Sequence, residues 1–244
     1  MQALILGAGR GSRLGKYTEH IPKCMVEVND KTIIKRAIDI LYKQKIDNII
    51  FVCGYKKEKI KEFLMKEFKN INFTFVENNE FEKTNNIYSL YLAKELLLKD
   101  EDTILIESDL LFDEKIIKTL IEDKNKNIAA IAKYKPNMDG TVVTIDESSG
   151  TINKFYKSNE IKEYCNYYKT INIYKFNKTF LKEKYIPILV QYIKNNRINE
   201  YYEQVLKDLV KEKNILNYKI FNKEKWYEVD NEEDLNNAKK IFRE

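Results

Sequence analysis

Leu4-Ile5-Leu6-Gly7-Ala8-Gly9-Arg10-Gly11-Ser12-Arg13-Leu14, with Ile21-Pro22-Lys23 shortly beyond, decides how the rest of this chain is read. An apolar run ends in a glycine-rich turn that carries two arginines, and a lysine follows. Short apolar runs bounded by turn residues read as buried strands. Glycine lets backbone approach a ligand closely, and successive exposed N–H groups form a nest for an anion. Fixed cations at Arg13 and Lys23 neutralise phosphate charge. The combination suits a nucleoside triphosphate held by the backbone of Gly7, Ala8, Gly9, Arg10 and Gly11. A tight strand-to-loop turn with no ligand is the plain alternative. Two other phosphate loops do not match. The dinucleotide fingerprint asks for glycine where Ser12 stands, and the P-loop asks for glycine at Arg10 and Ser or Thr at Tyr17.

Around this first strand, Ala3–Leu6, the chain alternates strand and helix as far as residue 135. Strands are expected at Asn48–Cys53, Asn72–Val76, Thr103–Glu107 and Ile128–Ala132. Helices are expected at Thr32–Lys45, Lys57–Phe68, Ile87–Leu98 and Glu114–Glu122. Ile33, Ile34, Ala37, Ile38 and Leu41 fall on one helical face. The alternation predicts an α/β, Rossmann-like fold: a mixed, mostly parallel sheet with helices on both faces. The pattern then turns more antiparallel. Thr141–Ile145 and Thr151–Phe155 flank Ser148-Ser149-Gly150 and read as a hairpin. Strands Thr170–Phe176 and Leu216–Phe221, helices Lys178–Asn195 and Glu200–Lys211, the segment Trp226–Val229 and a last helix from Glu232 complete the reading.

The 244 residues suffice for an α/β unit with its own core. Only 7 glycines and 3 prolines leave little room for linkers. The net charge of +5 comes from lysines interleaved with acids, the mark of solvated faces, so no nucleic-acid partner is expected. Cys24, Cys53 and Cys165 lie far apart and His20 is the lone histidine, which argues against zinc and fits a reducing cytoplasm. The amino-terminal apolar run reads as a strand and not a leader. No stretch approaches the ~18 apolar residues of a membrane span. A cytoplasmic chain without a membrane partner is expected. The apolar face Ile186, Leu189, Val190 and Ile193 is either core or the interface of a homodimer.

Gly7-x-Gly9-x-Gly11-x-Arg13 with Pro22-Lys23 resembles the signature of the nucleotidylyltransferase superfamily that includes the sugar-1-phosphate nucleotidylyltransferases. The resemblance continues through Thr84-Asn85-Asn86-Ile87-Tyr88-Ser89-Leu90, through Glu107-Ser108-Asp109-Leu110-Leu111-Phe112, and through Trp226-Tyr227-Glu228-Val229-Asp230-Asn231 with Asp234-Leu235. Together these stretches resemble most the small bacterial cytidylyltransferases that charge phosphocholine or related phospho- or phosphono-compounds. The resemblance implies transfer of CMP from CTP to a small phosphorylated or phosphonate headgroup: phosphocholine, aminoethylphosphonate or a phosphorylated amino-acid derivative such as phosphoglutamine. Pyrophosphate is the other product, and decoration of surface glycan or lipid is the setting. A sugar-1-phosphate nucleotidylyltransferase using UTP or dTTP is the alternative, and a catalytically inactive nucleotide sensor is a third.

Asp109 follows a central strand, where open α/β sheets bind ligands, and a carboxylate there suits Mg²⁺. Its plain alternative is a turn cap. Asp230 precedes a helix and has the N-cap as its plain alternative. The resemblance makes Asp109 and Asp230 the Mg²⁺ ligands, and Arg13, Lys23, Asp109 and Asp230 the catalytic set. The base is expected over the backbone of Leu6, Ala8 and Gly9 and against Asn85, Asn86 and Ser89, with cytosine preferred only through the resemblance. Glu107 either lies buried in the sheet or turns toward the acceptor. Acceptor candidates are Lys133, Thr141 and Lys154 for its phosphate and Tyr168, Glu200, Glu203 and Trp226 for its far end. Aromatic rings surround a quaternary ammonium well. With 17 tyrosines present, packing is the commoner use of such rings. On this reading residues 1–244 form one continuous unit: a nucleotide-binding core at 1–135, an acceptor-side elaboration at 136–225, and a metal-binding strand end with the final helix at 226–244.

Overall fold

The computed structural model describes residues 1–99, 101–136, 138–161, 164–212 and 215–243. Strand β1 (Gln2–Gly7) is buried along its whole length. Ala3 and Ile5 pack into the apolar layer on one side of it, Leu4 and Leu6 into the layer on the other. Two-sided burial of this kind belongs at the centre of a sheet covered on both faces. After the loop come the short antiparallel pair β2 (Glu27–Val28) and β3 (Lys31–Thr32). Helix α1 (Ile33–Lys43) starts one residue later than the sequence suggests, because the Thr32 side chain caps it by accepting from Lys35 N–H. Strand β4 (Asn48–Cys53), α2 (Lys57–Glu67), β5 (Asn72–Glu77), α3 (Asn86–Leu92) and α4 (Lys94–Leu97) follow. The single helix expected over Ile87–Leu98 divides at Ala93, whose N–H closes on Leu90 and Tyr91 carbonyls.

Strand β6 (Thr103–Glu107) leads through a turn to β7 (Leu110–Phe112), then α5 (Glu114–Glu122) and β8 (Ile128–Lys133). The expected hairpin is present as β9 (Thr141–Asp146) and β10 (Thr151–Lys157), paired antiparallel with an irregularity between Ile152 and Lys154. Strand β11 (Tyr168–Phe176) precedes a continuous helical stretch: α6 (Lys178–Phe180), a π-type turn over Leu181–Tyr185, and α7 (Ile186–Lys194). Pro187 sits in the first turn of α7 and lacks the N–H that a regular helix would direct back to residue 183. The last elements are α8 (Glu203–Leu209), β12 (Asn217–Ile220), β13 (Trp226–Glu228) and α9 (Glu232–Ile241). Helix α8 is shorter than the expected Glu200–Lys211 because Glu200 and Tyr201 run along α3: Ile87 N–H donates to the Glu200 carbonyl at 3.4 Å.

The nine-stranded sheet has the order β5-β4-β1-β6-β11-β8-β12-β10-β9. Strands β5, β4, β1 and β6 are mutually parallel. This is the mixed α/β sheet implied by the alternation. One placement differs from expectation. Strand β8 does not continue the parallel run beside β6, because β11 inserts between them, antiparallel to both. Every residue of β11 after Tyr168 is buried, which demands a central position. One apolar layer holds α3, α7 and α8 residues, the other α1, α2 and α5 residues. Ile186 and Leu189 are buried in the first layer and Val190 and Ile193 pack against it, so that face is core. A third, smaller cluster joins Leu14, Val26, Leu111, Val229 and Leu235. It ties the loop after β1, β7, β13 and α9 together under the site. No helix among the described residues is long and apolar enough to cross a membrane.

Candidate functional site

A cavity of about 870 Å³ opens at the carboxyl ends of β1 and β6. Leu6, Ala8, Gly9, Gly11 and Arg13 from the glycine-rich loop form one wall. Gly11 has φ +70°, and a Cβ there would lie 2.8 Å from Lys23 Cβ. Glycine at this position therefore lets the Lys23 side chain cross beneath the loop. Gly54 packs against the same loop, where a Cβ would meet the Ala8 carbonyl at 2.7 Å.

Two short strands set the acidic pair. Strands β7 and β13 run antiparallel, with Glu228 opposite Leu110, and Val229 N–H donates to the Asp109 carbonyl at 3.1 Å. Asp109 and Asp230 are thereby side by side. Lys23 Nζ lies 2.6 Å from Asp109 Oδ2 and 2.6 Å from Asp230 Oδ1, and Arg13 stands 2.8 Å from Asp230 Oδ1. Burial by itself lowers the affinity of the Lys23 amine for its proton, and Asp109 and Asp230 together more than reverse this, so the group is held charged. The N-cap of α9 is Asn231, in a reciprocal capping box with Asp234, and not Asp230.

Asp109 Oδ1 is buried without a hydrogen-bond partner. Glu107, Asp109 and Glu228 each bring a carboxylate oxygen within 4.8 Å of the others. An unpartnered oxygen in a set of hard oxygen donors fits a divalent cation such as Mg²⁺. Sequence reasoning did not single out Glu228, although it lies inside the stretch Trp226-Tyr227-Glu228-Val229-Asp230-Asn231.

Glu107 turns into the cavity and not into the sheet. Asn86 Nδ2 donates to Glu107 Oε1 at 3.1 Å, and Asn172 Nδ2 stands 3.5 Å from Oε2. Burial, reinforced by the charges of Asp109, Glu203 and Glu228, holds this carboxyl well above the ordinary range. Asn86 also accepts from Tyr202 N–H at 3.0 Å, so it links α3 to the segment before α8. Asn85 caps α3 and lines the cavity as well. Ser89 lines it too, with its hydroxyl accepting from Asn78 Nδ2 at 3.0 Å. On the far wall stand Gly140, Thr141, Lys169, Asn172, Glu203 and Trp226. Lys169 and Asn172 were not anticipated: Lys169 lies just before the expected strand Thr170–Phe176, and neither residue falls in a recognised motif.

Several expected residues stand elsewhere. Gly7 is packed inside β1, where a Cβ would lie 2.6 Å from the Phe51 ring. Arg10 lies over the Tyr55 ring at 5.4 Å. Lys133 is exposed at the end of β8 and lies over Tyr168 at 5.2 Å, which occupies both side chains. Lys154 is exposed on β10, beyond the irregularity at Ile152. Glu200 pairs with Arg197 at 2.7 Å. Tyr202 is core, edge-on to Tyr174 at 5.9 Å. Cys24, Cys53 and Cys165 are free thiols.

Fold and site define an α/β protein whose ligand cavity opens at the carboxyl ends of parallel strands, with two aspartates and a lysine at its rim. The sequence model of the nucleotidyl transferase family matches residues 2–244, and the chain belongs to that family. It is 26% identical over 211 residues to the CMP-5'-(3-aminopropyl)phosphonate synthase of Streptomyces rubellomurinus, covering 85% of this chain and 33% of that protein. It is 34% identical over 137 residues to the CTP:phosphoglutamine cytidylyltransferase of Campylobacter jejuni, covering 54% of this chain and 53% of that one. The choline-phosphate cytidylyltransferase of Streptococcus pneumoniae is 42% identical over 97 residues, 40% of this chain and 41% of that protein. The chain thus spans between a third and about half the length of these curated relatives. The solved structure of a CTP:phosphocholine cytidylyltransferase from Streptococcus pneumoniae superimposes with a TM-score of 0.81 at 22% identity, over 99% of both chains, and shares the fold.

Proposed function

We propose that this protein transfers CMP from CTP to a small phosphorylated or phosphonate headgroup and releases pyrophosphate. The observation that carries the reading is the meeting of Asp109 and Asp230, far apart in sequence, on one lysine at the rim of the glycine-loop cavity. The named activities of the relatives support CTP as donor and a small phosphorylated compound as acceptor.

In this reading Asp109 and Asp230 would hold Mg²⁺, with Glu228 and Glu107, which group with Asp109, beside them. The ion supplies charge neutralisation on the triphosphate when bound. Lys23 and Arg13 leave the carboxylates for the phosphates and spread the growing negative charge. Backbone of Leu6, Ala8 and Gly9, with Asn85 and Asn86, receives the base and ribose. The acceptor's phosphate or phosphonate oxygen forms a bond to the α-phosphorus, and the α–β bridging bond breaks in line. The attacking oxygen is already anionic, so no general base takes part. Catalysis is positioning plus charge compensation, without a covalent intermediate. We place the reaction in the cytoplasm, ahead of decoration of cell-surface glycan or lipid.

Pyrophosphate release with each of four nucleoside triphosphates, over a panel of acceptors, tests this. Release is expected with CTP and a phosphorylated or phosphonate headgroup. Release with UTP or dTTP and a sugar 1-phosphate replaces the reading with the sugar alternative, and tight nucleotide binding with no release replaces it with a sensor. Asp109→Asn and Asp230→Asn are each expected to lower kcat by roughly 10²- to 10³-fold, the scale of losing one preorganised charge contact.

A further inference from the structure

We infer that the acceptor is amino-acid-like: its headgroup carries a carboxylate or carbonyl that Lys169 receives and an ammonium that Glu203 receives. The inference rests on the cytidylyl-transfer reading above and narrows its acceptor.

Lys169 is 2% exposed, yet it lines the cavity. Burying an ammonium is costly unless it is paired and hydrogen-bonded. Its short hydrogen bond goes to the Thr170 carbonyl at 2.8 Å. The carboxylate of Glu228 stands 3.5 Å away, a long ion pair that compensates part of its charge. An ammonium has three donors, and this one is held in place without being fully engaged. Gly140 leaves the space beside it open: a Cβ there would lie 3.2 Å from Lys169 Nζ.

Glu203 is 3% exposed and also lines the cavity. Thr141 Oγ1 donates to its Oε1 at 3.2 Å, while Oε2 is buried with no partner. The neighbouring phenols of Tyr174 and Tyr202 do not hydrogen-bond to it, so this oxygen is open to an N–H from a ligand. Gly140 and Thr141 are consecutive, one against Lys169 and the other against Glu203. The two charges therefore face the same end of the cavity. Glu107 is engaged by Asn86 at 3.1 Å and, at longer range, by Asn172 at 3.5 Å, on the side of the acidic group that includes Asp109 and Glu228. Asn172 reaches it from a left-handed backbone position, φ 57°, within β11.

A headgroup with one charge of each sign satisfies both residues. The quaternary ammonium of phosphocholine donates no hydrogen bond to Glu203, and beyond its phosphate it brings no anion to Lys169. A neutral sugar brings neither an anion to Lys169 nor an ammonium to Glu203.

The test measures kcat/KM with saturating CTP for four kinds of acceptor. These are phosphorylated amino acids (O-phosphoserine and amide-phosphorylated glutamine), phosphoethanolamine with the ammonium alone, phosphoglycolate with the carboxylate alone, and phosphocholine. At least one phosphorylated amino acid is expected to exceed each of the other three by about tenfold or more. Lys169→Met is expected to collapse the preference for the amino acid over phosphoethanolamine. Glu203→Gln is expected to collapse its preference over phosphoglycolate. Phosphocholine turned over as well as, or better than, the amino acids overturns the inference and leaves cytidylyl transfer standing. So does a Lys169→Met enzyme with an unaltered acceptor ratio. The wild-type panel decides alone if a variant does not fold. No pyrophosphate from CTP with any acceptor overturns both readings.

Discussion

Glu203 shows what one side chain costs and gives. Burial pushes its carboxyl up to about 7, while the charge of Lys169 and the hydroxyl of Thr141 pull it down. The charge of Glu228 pushes the same way as burial, and Tyr174 and Tyr202 face it as neutral phenols. The folded state thus keeps a proton that the unfolded chain releases near the ordinary glutamate value of about 4.3. Stability from this group is fully present below that value and is lost as pH rises through about 7. Glu107 and Glu228 are also raised and add slope of the same sign. Comparing wild type with Glu203→Gln isolates one contribution. Thermal unfolding followed from pH 5 to 8 is expected to show Tm falling more steeply in wild type than in the variant. Position 203 was named from the sequence as an acceptor candidate, and it lines the cavity. Lys169 was not named, because it lies just before the expected strand Thr170–Phe176 and nothing local shows that its head group is turned inward.

At the level of elements, the site depends on pieces too short to announce themselves. Strands β7 and β13 span three residues each, and three residues carry no periodicity. Their pairing joins segments more than a hundred residues apart, which local pattern does not encode. Long elements were legible: β1, β4 and β6, with α1 and α5, each follow from apolar spacing within a residue or two. The slot of β11 between β6 and β8 was not, because Lys169 and Lys175 interrupt its apolar run. Lys175 is buried with its ammonium on the carbonyls of Leu120 and Asp123, capping the end of α5. The start of α9 offers a direct check on how an element aims a ligand. Asn231 accepts from Asp234 N–H at 3.0 Å, and Asp234 accepts from the N–H groups of Asp230 and Asn231 at 3.1 Å. Asn231→Ala removes half of this box and is expected to cost about 1 kcal/mol, read as a lower urea midpoint at unchanged slope. Because the Asn231 cap helps place Asp234, whose carboxylate accepts from Asp230 N–H, pyrophosphate release is expected to fall several-fold in the folded variant.

Across the whole molecule, the cavity draws its walls from the amino-terminal loop, the end of β6, the turn before β9, strand β11 and the segment 226–231. These segments lie in both halves of the chain, so a ligand that fills the cavity ties the halves together and opposes global unfolding. Two like-charged aspartates there are compensated by Lys23 and Arg13 when no nucleotide is bound. A magnesium-bound triphosphate can take over that compensation only if the cations turn to its phosphates, so ion and nucleotide are expected to act jointly. CTP with Mg²⁺ at about a hundred times its Kd stabilises the folded state by roughly 2.7 kcal/mol. For a chain of this size that corresponds to a rise in Tm of roughly 5–10 °C. Mg²⁺ alone or CTP with chelator is expected to give a small part of the shift, and UTP with Mg²⁺ less than CTP at equal concentration. Asp109→Asn is expected to abolish the joint part and keep what the loop backbone alone contributes. A full shift in that variant would mean that the triphosphate is held without the acidic pair, and that the meeting of Asp109, Asp230 and Lys23 serves the fold alone.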